Sequence, residues 1–557
     1  MNPKRRSFFN PGALGAALLF CLMLPAQALT ELDVLYRLAR RVGLPPAALR
    51  VVNLGENALV LALAFGLAYL AALALWRTLE RYTPAPPSQD AKTGLRRVLV
   101  YALICLLAWS FYLYAYWPGV MTTDSFDQWD QAHNLALLYD WHPVGHTLLI
   151  FLLTRLWDSP AAVMLAQTLA MALAWGWAMA FFERQGVTRA LLLPLTLVFA
   201  LLPSNGAMLV SLWKDIPYAA ATLLLVFLLG RVALSRGRWL ESRGHAALLG
   251  AALAAAALLR HNGLLVSGAS LALLLAFYAR PGRWRGALLA GVVAVAGVLL
   301  VQNGIAFGLL NAKPNDPAVS YVVPIQHIGA VIHSGASYTP EEQAVLKRIM
   351  PIDVWGKAYL RYSADSLSKP WGYQKDPQIL EKIDQNRGDL LRVFLALAAR
   401  NPRVVLASEL DLTSMVWRIL PPWNAEYRDY RYLFDLTSVE RAGLSVPAAM
   451  QQANTPLKAS LDQLLTTSSS DLIPDLFLWE GGLYLFLSLV FGLYGLAHHG
   501  RAFLLALAPS LANALSLALA MPGDNFRFVY PIVVPTALIA LFAVLPSQGD
   551  DLDPHRV

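Results

Sequence analysis

Long apolar runs alternate with short polar stretches along most of the chain. The runs fall at roughly 10–28, 54–76, 98–117, 160–182, 190–208, 215–233, 245–260, 262–280, 285–306, 475–497, 502–520 and 528–545. A membrane core about 30 Å thick is crossed by about 20 apolar residues in a helix. In lipid the backbone must satisfy its own hydrogen bonds, so such runs predict helices. A membrane barrel would instead show alternating segments of about 10 residues, which the continuous Leu/Ala/Val blocks exclude. The pattern predicts an all-α polytopic membrane protein with about 11–13 spans.

Between 307 and 474 the pattern turns polar and no span is expected. "TPEEQAVLKRIM" opens with Thr339 ahead of Glu341 and Glu342, a helix start. "NRGDLLRVFLALAARNP" reads as an amphipathic helix ending at Asn401-Pro402. The expected organisation is therefore 1–97, N-terminal spans and an interfacial segment; 98–306, a transmembrane core with an acidic loop at 118–158; 307–474, a mostly helical external domain; 475–545, C-terminal spans; and 546–557, a cytoplasmic tail. Residues 35–50, with Arg37, Arg40, Arg41 and Arg50, are expected to lie in the membrane interface. The basic start "MNPKRR", apolar centre and "PAQA" site fit a secretory signal peptide, and fit an uncleaved first span as well. The uncleaved span is the preferred reading.

Composition agrees: 57% of the 557 residues are hydrophobic and 14% charged, and mean hydropathy is +0.49. Soluble domains are close to a quarter charged. The net charge of +8 does not point to nucleic acid, because Lys and Arg sit in short loops between spans. Lys4, Arg5, Arg6, Arg77, Arg81, Lys92, Arg96, Arg97, Arg184, Arg189, Arg236, Arg238, Arg243, Arg283, Arg285 and Arg501 all fall on one side of the expected topology. The loop from Pro118 to Trp141 has none. By the positive-inside rule that loop faces outward. Cys21 and Cys105 lie in apolar runs and make neither a disulfide framework nor a metal spacing.

Ionisable residues gather at span ends on this outer side. They are Asp124 and Asp127 in "TTDSFDQW", His142 and His146 in "WHPVGH", and Lys214 and Asp215 in "LWKD". Arg260, His261 and Asn262 follow in "LRHNG", and Asp524, Asn525, Arg527 and Tyr530 in "GDNFRFVY". Carboxylates beside cations suit sugar transfer from a lipid phosphate. A carboxylate accepts the acceptor's proton, and Arg or Lys meets the charge on the leaving phosphate. Plainer roles stand beside these. Asp124 has helix N-cap chemistry; Asp127 also reads as a solvated neighbour or a cation's partner. His142 and His146 have metal-ligand spacing without an evident third ligand, which favours structural histidines. Lys214 and Arg527 could be interface anchors, and Arg260-His261-Asn262-Gly263 a turn.

Together these motifs resemble the GT-C superfamily of membrane glycosyltransferases, which use polyprenyl-phosphate sugars. Members include protein mannosyltransferases, the aminoarabinose transferases of lipid A and arabinofuranosyltransferases. "PGVMTTDSFDQW" is similar to the superfamily's acidic first external loop, with Asp124 the matching residue, and "DWHPVGH" supplies its His-Pro pair at His142-Pro143. "NFRFVYP" is similar to a late Arg-Tyr…Pro turn, with Phe528 where Tyr is common. The likeness covers 98–306 best, and the spans before 98 depart from the simplest layout. It implies a GT-C-like bundle in a bacterial inner membrane with its active site facing the periplasm. Asp124 would be the general base, joined by Asp127. The donor would meet Lys214, Arg260 and Arg527, along with His142, Asp215, His261, Asn262 and Tyr530. No cofactor is assigned, and a divalent metal on Asp124, Asp127 and the histidines is left open. Expected partners are the bilayer, a polyprenyl-phosphate sugar donor and a periplasmic acceptor: lipid A, another glycan or a protein. An O-antigen polymerase or ligase, or a lipid-linked sugar flippase, is the alternative.

Overall fold

The structure, a computed structural model, describes residues 9–31, 34–86, 94–278, 284–370, 372–420 and 456–546. The tail from 547 on, and all of "ILPPW" except Ile419 and Leu420, lie outside the described residues. Helices dominate, with only isolated bridges among the described residues and no named strand. In the membrane part they are α1 (Pro11–Glu31), α2 (Val34–Arg41), α3 (Pro46–Arg81), α4 (Gly94–Ala115), α5 (Thr123–His133), α6 (Val144–Leu156), α7 (Pro160–Arg184), α8 (Arg189–Leu201), α9 (Pro203–Val210), α10 (Asp215–Leu234), α11 (Arg243–Leu259), α12 (Gly263–Tyr278) and α13 (Trp284–Val298). A π-helical turn run, Leu299–Leu309, continues α13. The polar segment forms α14 (Val322–His333), α15 (Pro340–Ile349), α16 (Ile352–Lys357), α17 (Asp365–Ser368), α18 (Ile379–Arg400), α19 (Pro402–Leu412) and α20 (Ser414–Trp417). The chain closes with α21 (Pro456–Ser470), α22 (Leu472–Leu478), α23 (Gly481–His499), α24 (Leu504–Ala520), α25 (Phe526–Val533) and α26 (Thr536–Val544).

The protein is thus an all-α, multi-pass membrane protein, but the expectation of 11–13 spans needs correcting. Among the described residues eight helices are long and apolar enough to cross, or nine if α8 and α9, bent by 54°, count as one. The bend falls where Pro203 follows Leu202, because a proline disfavours helical backbone in the residue before it. Three other expected spans are shorter apolar helices: Pro11–Leu24, α11 and α12. At 17 residues α11 rises only about 25 Å, short of the roughly 30 Å core; α12 is described as far as Tyr278. A fourth short apolar helix, α6, lies in what the sequence presented as external loop. Residues 35–50 are likewise not one interfacial helix; α2 ends at Arg41 and the rest begins α3.

α10 is the hub. It is apolar all round and buried along almost its whole length, as a helix hydrophobic on every face must be. It packs against α7, α11, α24 and α25. At one end of the bundle Glu183 joins three neighbours: Tyr101 donates to it at 2.9 Å, and Arg97 and Arg189 pair with it at 3.3 and 2.7 Å. At the other end the connecting loops are stitched by backbone. Val120 N–H donates to Val210 O at 2.8 Å and Leu212 N–H to Val120 O at 2.9 Å. Buried Gln167 braces that stitch by donating to Leu209 O and Ser211 O, both at 2.8 Å. Gly145 lets α6 touch α11, since a Cβ there would stand 2.4 Å from Leu258 O.

α14, α15, α16 and α18 share a core of Ile325, Ile328, Val331, Leu346, Trp355, Ile383 and Leu390. α15 starts where its sequence predicts, and a capping box of Thr339 with Glu342 closes that start; α18 ends at Asn401 as its pattern foretold. This helical unit is tied to the membrane helices by a second stitch. Ala364 N–H donates to Pro522 O at 2.9 Å and Asp524 N–H to Tyr362 O at 2.8 Å. Asp524 also accepts from Ser414 Oγ at 2.7 Å and Met415 N–H at 2.8 Å. Burial pushes its carboxyl up to about 6, against the pull of nearby Arg418. Asp524→Ala leaves the Met415 N–H without this acceptor, and such a loss costs about 1–3 kcal/mol. The expected outcome is a lower midpoint for thermal unfolding of the purified protein, checked by intrinsic fluorescence in detergent.

Candidate ionic site at the helix ends

The two stitches converge on one place. The first sets α5 beside the start of α10, and Trp213 secures it by donating from Nε1 to Thr122 Oγ1 at 2.7 Å. Asp124, in the first turn of α5, then faces Lys214, the residue before α10. Lys214 Nζ lies 3.3 Å from Asp124 Oδ2, and Arg527 of α25 donates to the same oxygen at 2.9 Å. The Arg527 guanidinium also lies over the rings of Trp213 and Phe528, at 4.9 and 5.0 Å. Asp124 is therefore not the N-cap of its helix: Thr122 holds that position.

Protein surrounds the three groups on all sides, yet the side chains of Asp124, Lys214 and Arg527 keep 29, 13 and 17% of their surface open. They line a solvent-reached cavity. Burial disfavours the Asp124 carboxylate, but Lys214 and Arg527 outweigh it and hold the group well below the usual carboxylate range. The Lys214 ammonium is pulled down by burial and partly restored by Asp124 and Asp215. Two cations against one carboxylate leave a positive excess.

Lys214 Nζ also reaches His142 Nδ1 at 3.0 Å. An ammonium has only donors, so Nδ1 accepts and the ring proton sits on Nε2. Burial, then the Lys214 charge, keep His142 neutral. Its Nε2 faces Asp127 Oδ2 at 3.6 Å. Asp127 accepts from Gln131 Nε2 at 2.8 Å and Tyr139 OH at 3.1 Å, and burial raises its carboxyl. Deeper in, Arg260 and the buried Asp215 form an ion pair at 2.7 Å.

Other sequence candidates lie elsewhere. Tyr530 is fully buried below the cluster and donates to Asn205 Oδ1 at 3.0 Å. Asn262 ties the α11–α12 turn to α24 by donating to Asn513 Oδ1 and Ser516 Oγ at 3.2 and 3.0 Å. His261 is exposed, 3.3 Å from Trp141 O and 4.0 Å from Asp140. His146 is buried against Gln128 at 2.9 Å. Among the described residues no group of three His, Cys, Asp or Glu side chains is arranged to hold a metal. The place between Asp124 and His142 is taken by the Lys214 ammonium. The residues present do not fit the divalent ion that the superfamily likeness left open.

The structure adds two residues that the sequence reading passed over. The second stitch ties the segment carrying Asp365 and Lys369, from and just after α17, to the segment leading into α25, close enough to Asp124 and Arg527 for their charges to be felt. Lys369 Nζ stands 4.1 Å above the Trp141 ring.

These features define a multi-pass helical membrane protein with a mixed ionic cluster where its helix ends meet a polar helical unit. Residues 133–553 match a family described as "Family of unknown function (DUF6020)", and the chain belongs to it. The match includes Lys214, Arg260, Asp365 and Arg527, while Asp124 and Asp127 precede it. No curated protein and no solved structure matches the chain.

A double-mutant cycle of Asp124→Asn and Arg527→Gln tests the clamp. Exposed pairs couple by about 0.2–1 kcal/mol. The expected coupling is larger than about 1 kcal/mol by thermal or denaturant unfolding in detergent.

Proposed function

We propose that the protein is a membrane glycosyltransferase that moves a sugar from a polyprenyl-phosphate donor to an acceptor outside the cytoplasm. The observation that carries this reading is the Lys214–Asp124–Arg527 clamp, an accessible pair of cations in excess over their carboxylate at the boundary between apolar helices and an external unit. The donor's phosphate diester needs such cations, and its lipid tail needs the apolar helices below them. Arg527 supplies paired N–H donors and Lys214 a point charge. As the sugar–oxygen bond breaks, negative charge grows on the phosphate, and both groups meet it without reorganising. Arg260 is already matched by Asp215, so its part is to hold the start of α10 in place.

Asp124 enters as a positioning residue that keeps the two cations together. With both at hydrogen-bond range its carboxylate is a weak proton acceptor, so the base role suggested by the superfamily likeness suits it poorly. The charged groups stand at helix ends, not mid-helix, which supports transfer over transport. On this reading the protein sits in a bacterial inner membrane with the site toward the periplasm, because the Lys- and Arg-rich loops lie at the opposite ends of the helices.

The test uses purified protein in nanodiscs with a panel of polyprenyl-phosphate monosaccharides and a membrane extract as acceptor. Wild type is expected to release polyprenyl phosphate with at least one donor. Lys214→Met and Arg527→Met are each expected to lower that rate by about 100- to 1,000-fold. Absence of release by wild type with every donor contradicts the proposal.

A further inference from the structure

We infer that Asp365, carried by the external helical unit, is the base that takes the acceptor's proton; this rests on the glycosyl-transfer reading of the same site. Three solvent-reached carboxylates lie close enough to feel one another's charge, Asp127 and Asp365 each through Asp124, and their surroundings differ. Asp124 is clamped by Lys214 and Arg527. Asp127 accepts from Gln131 and Tyr139 at a single oxygen, Oδ2. Asp365 has neither an ion pair within 4.0 Å nor a side-chain hydrogen bond to any described residue. Its bonds are made by its backbone: its N–H donates to Ser363 Oγ at 3.4 Å and its carbonyl accepts from Lys369 N–H at 3.1 Å.

Its position is well fixed all the same. Ala364, the preceding residue, is locked to Pro522 through the stitch to the segment that leads into α25. Asp365 is exposed to solvent in spite of the protein around it, so water and an acceptor hydroxyl can reach it. The groups facing it are Lys369 one turn along, Asp124 of α5 and Arg527 of α25. Burial, with Asp124 adding to it and Lys369 opposing, raises the carboxyl above its usual range, which makes the ionised form a stronger proton acceptor.

The step balances as follows. The acceptor hydroxyl oxygen bonds to the anomeric carbon while its proton passes to Asp365. The bond between that carbon and the phosphate oxygen breaks, and its electron pair leaves with polyprenyl phosphate, beside Lys214 and Arg527. Asp365 then returns the proton to water. The lipid side thus supplies the leaving-group cations, and the external unit supplies the base, so transfer depends on the unit being seated.

The experiment compares wild type, Asp365→Asn and Asp365→Glu in nanodiscs, with the same donor panel and acceptor extract, from pH 5 to pH 9. A base must be ionised, so the wild-type rate is expected to fall as pH drops through the raised carboxyl range. Asp365→Asn is expected to lower turnover about 100- to 10,000-fold and to flatten that limb. Its half-saturating donor concentration should stay within about threefold of wild type, because the phosphate ligands are untouched. Asp365→Glu should regain part of the lost rate. Asp365→Asn with wild-type turnover and pH profile overturns the assignment and leaves the transferase reading intact. Wild type without turnover on any donor overturns both. Where Asp365→Asn alters the melting midpoint, the other two proteins decide. A wild-type rate that is level across the acid limb, or an Asp365→Glu protein as fast as wild type with an unshifted limb, overturns the assignment.

Discussion

Charge at the edge of an apolar bundle has to be neutralised, and that constraint organises this protein. An isolated carboxylate or ammonium loses several kcal/mol when taken from water. Here Asp124, Lys214 and Arg527, separated by 90 and 313 positions, make one another tolerable. They meet only because the Val120–Ser211 bridge fixes α5 against α10 and α25 packs on α10. Losing one member leaves the others as largely enclosed, unmatched charge. The Arg260–Asp215 pair repeats the device one layer deeper, at the start of the same central helix.

Much of this was legible in the chain. The apolar runs marked every helix that is long enough to span, and the start of α15 and the end of α18 were readable from local chemistry. The span count was not, because a run of Leu and Ala looks alike whether it builds a helix of full span length or a shorter apolar one such as α11. Within the site, Lys214, Arg527 and Asp124 stood out as charges interrupting apolar sequence. Asp365 and Lys369 did not. Their spacing of four along a polar segment is shared by Asp353 and Lys357, an exposed surface pair. Only the antiparallel bridge between Ser363 and Gly523 distinguishes the two pairs, and a contact across 160 positions leaves no local trace. Tyr530 and Asn262 show the reverse case: both sit beside charged candidates in sequence, and both serve packing.

The family match adds a boundary worth setting against the geometry. Both cations of the clamp and the carboxylate of the external unit lie inside it, and Asp124 lies before it. The clamp therefore joins the matched region to the segment preceding it. In the proposed reaction this separates two jobs: the cations receive the phosphate, and the carboxylate from the N-terminal side keeps them together until it arrives.

The central claim is that this clamp is an anion site for a lipid phosphate. Cryo-electron microscopy of the protein in nanodiscs containing undecaprenyl phosphate tests it most directly. The account expects phosphate density within hydrogen-bond reach of Lys214 and Arg527, with the lipid tail running down among the apolar helices. A well-resolved cluster with Asp124 still paired to both cations and no phosphate beside them, at saturating lipid, would contradict it.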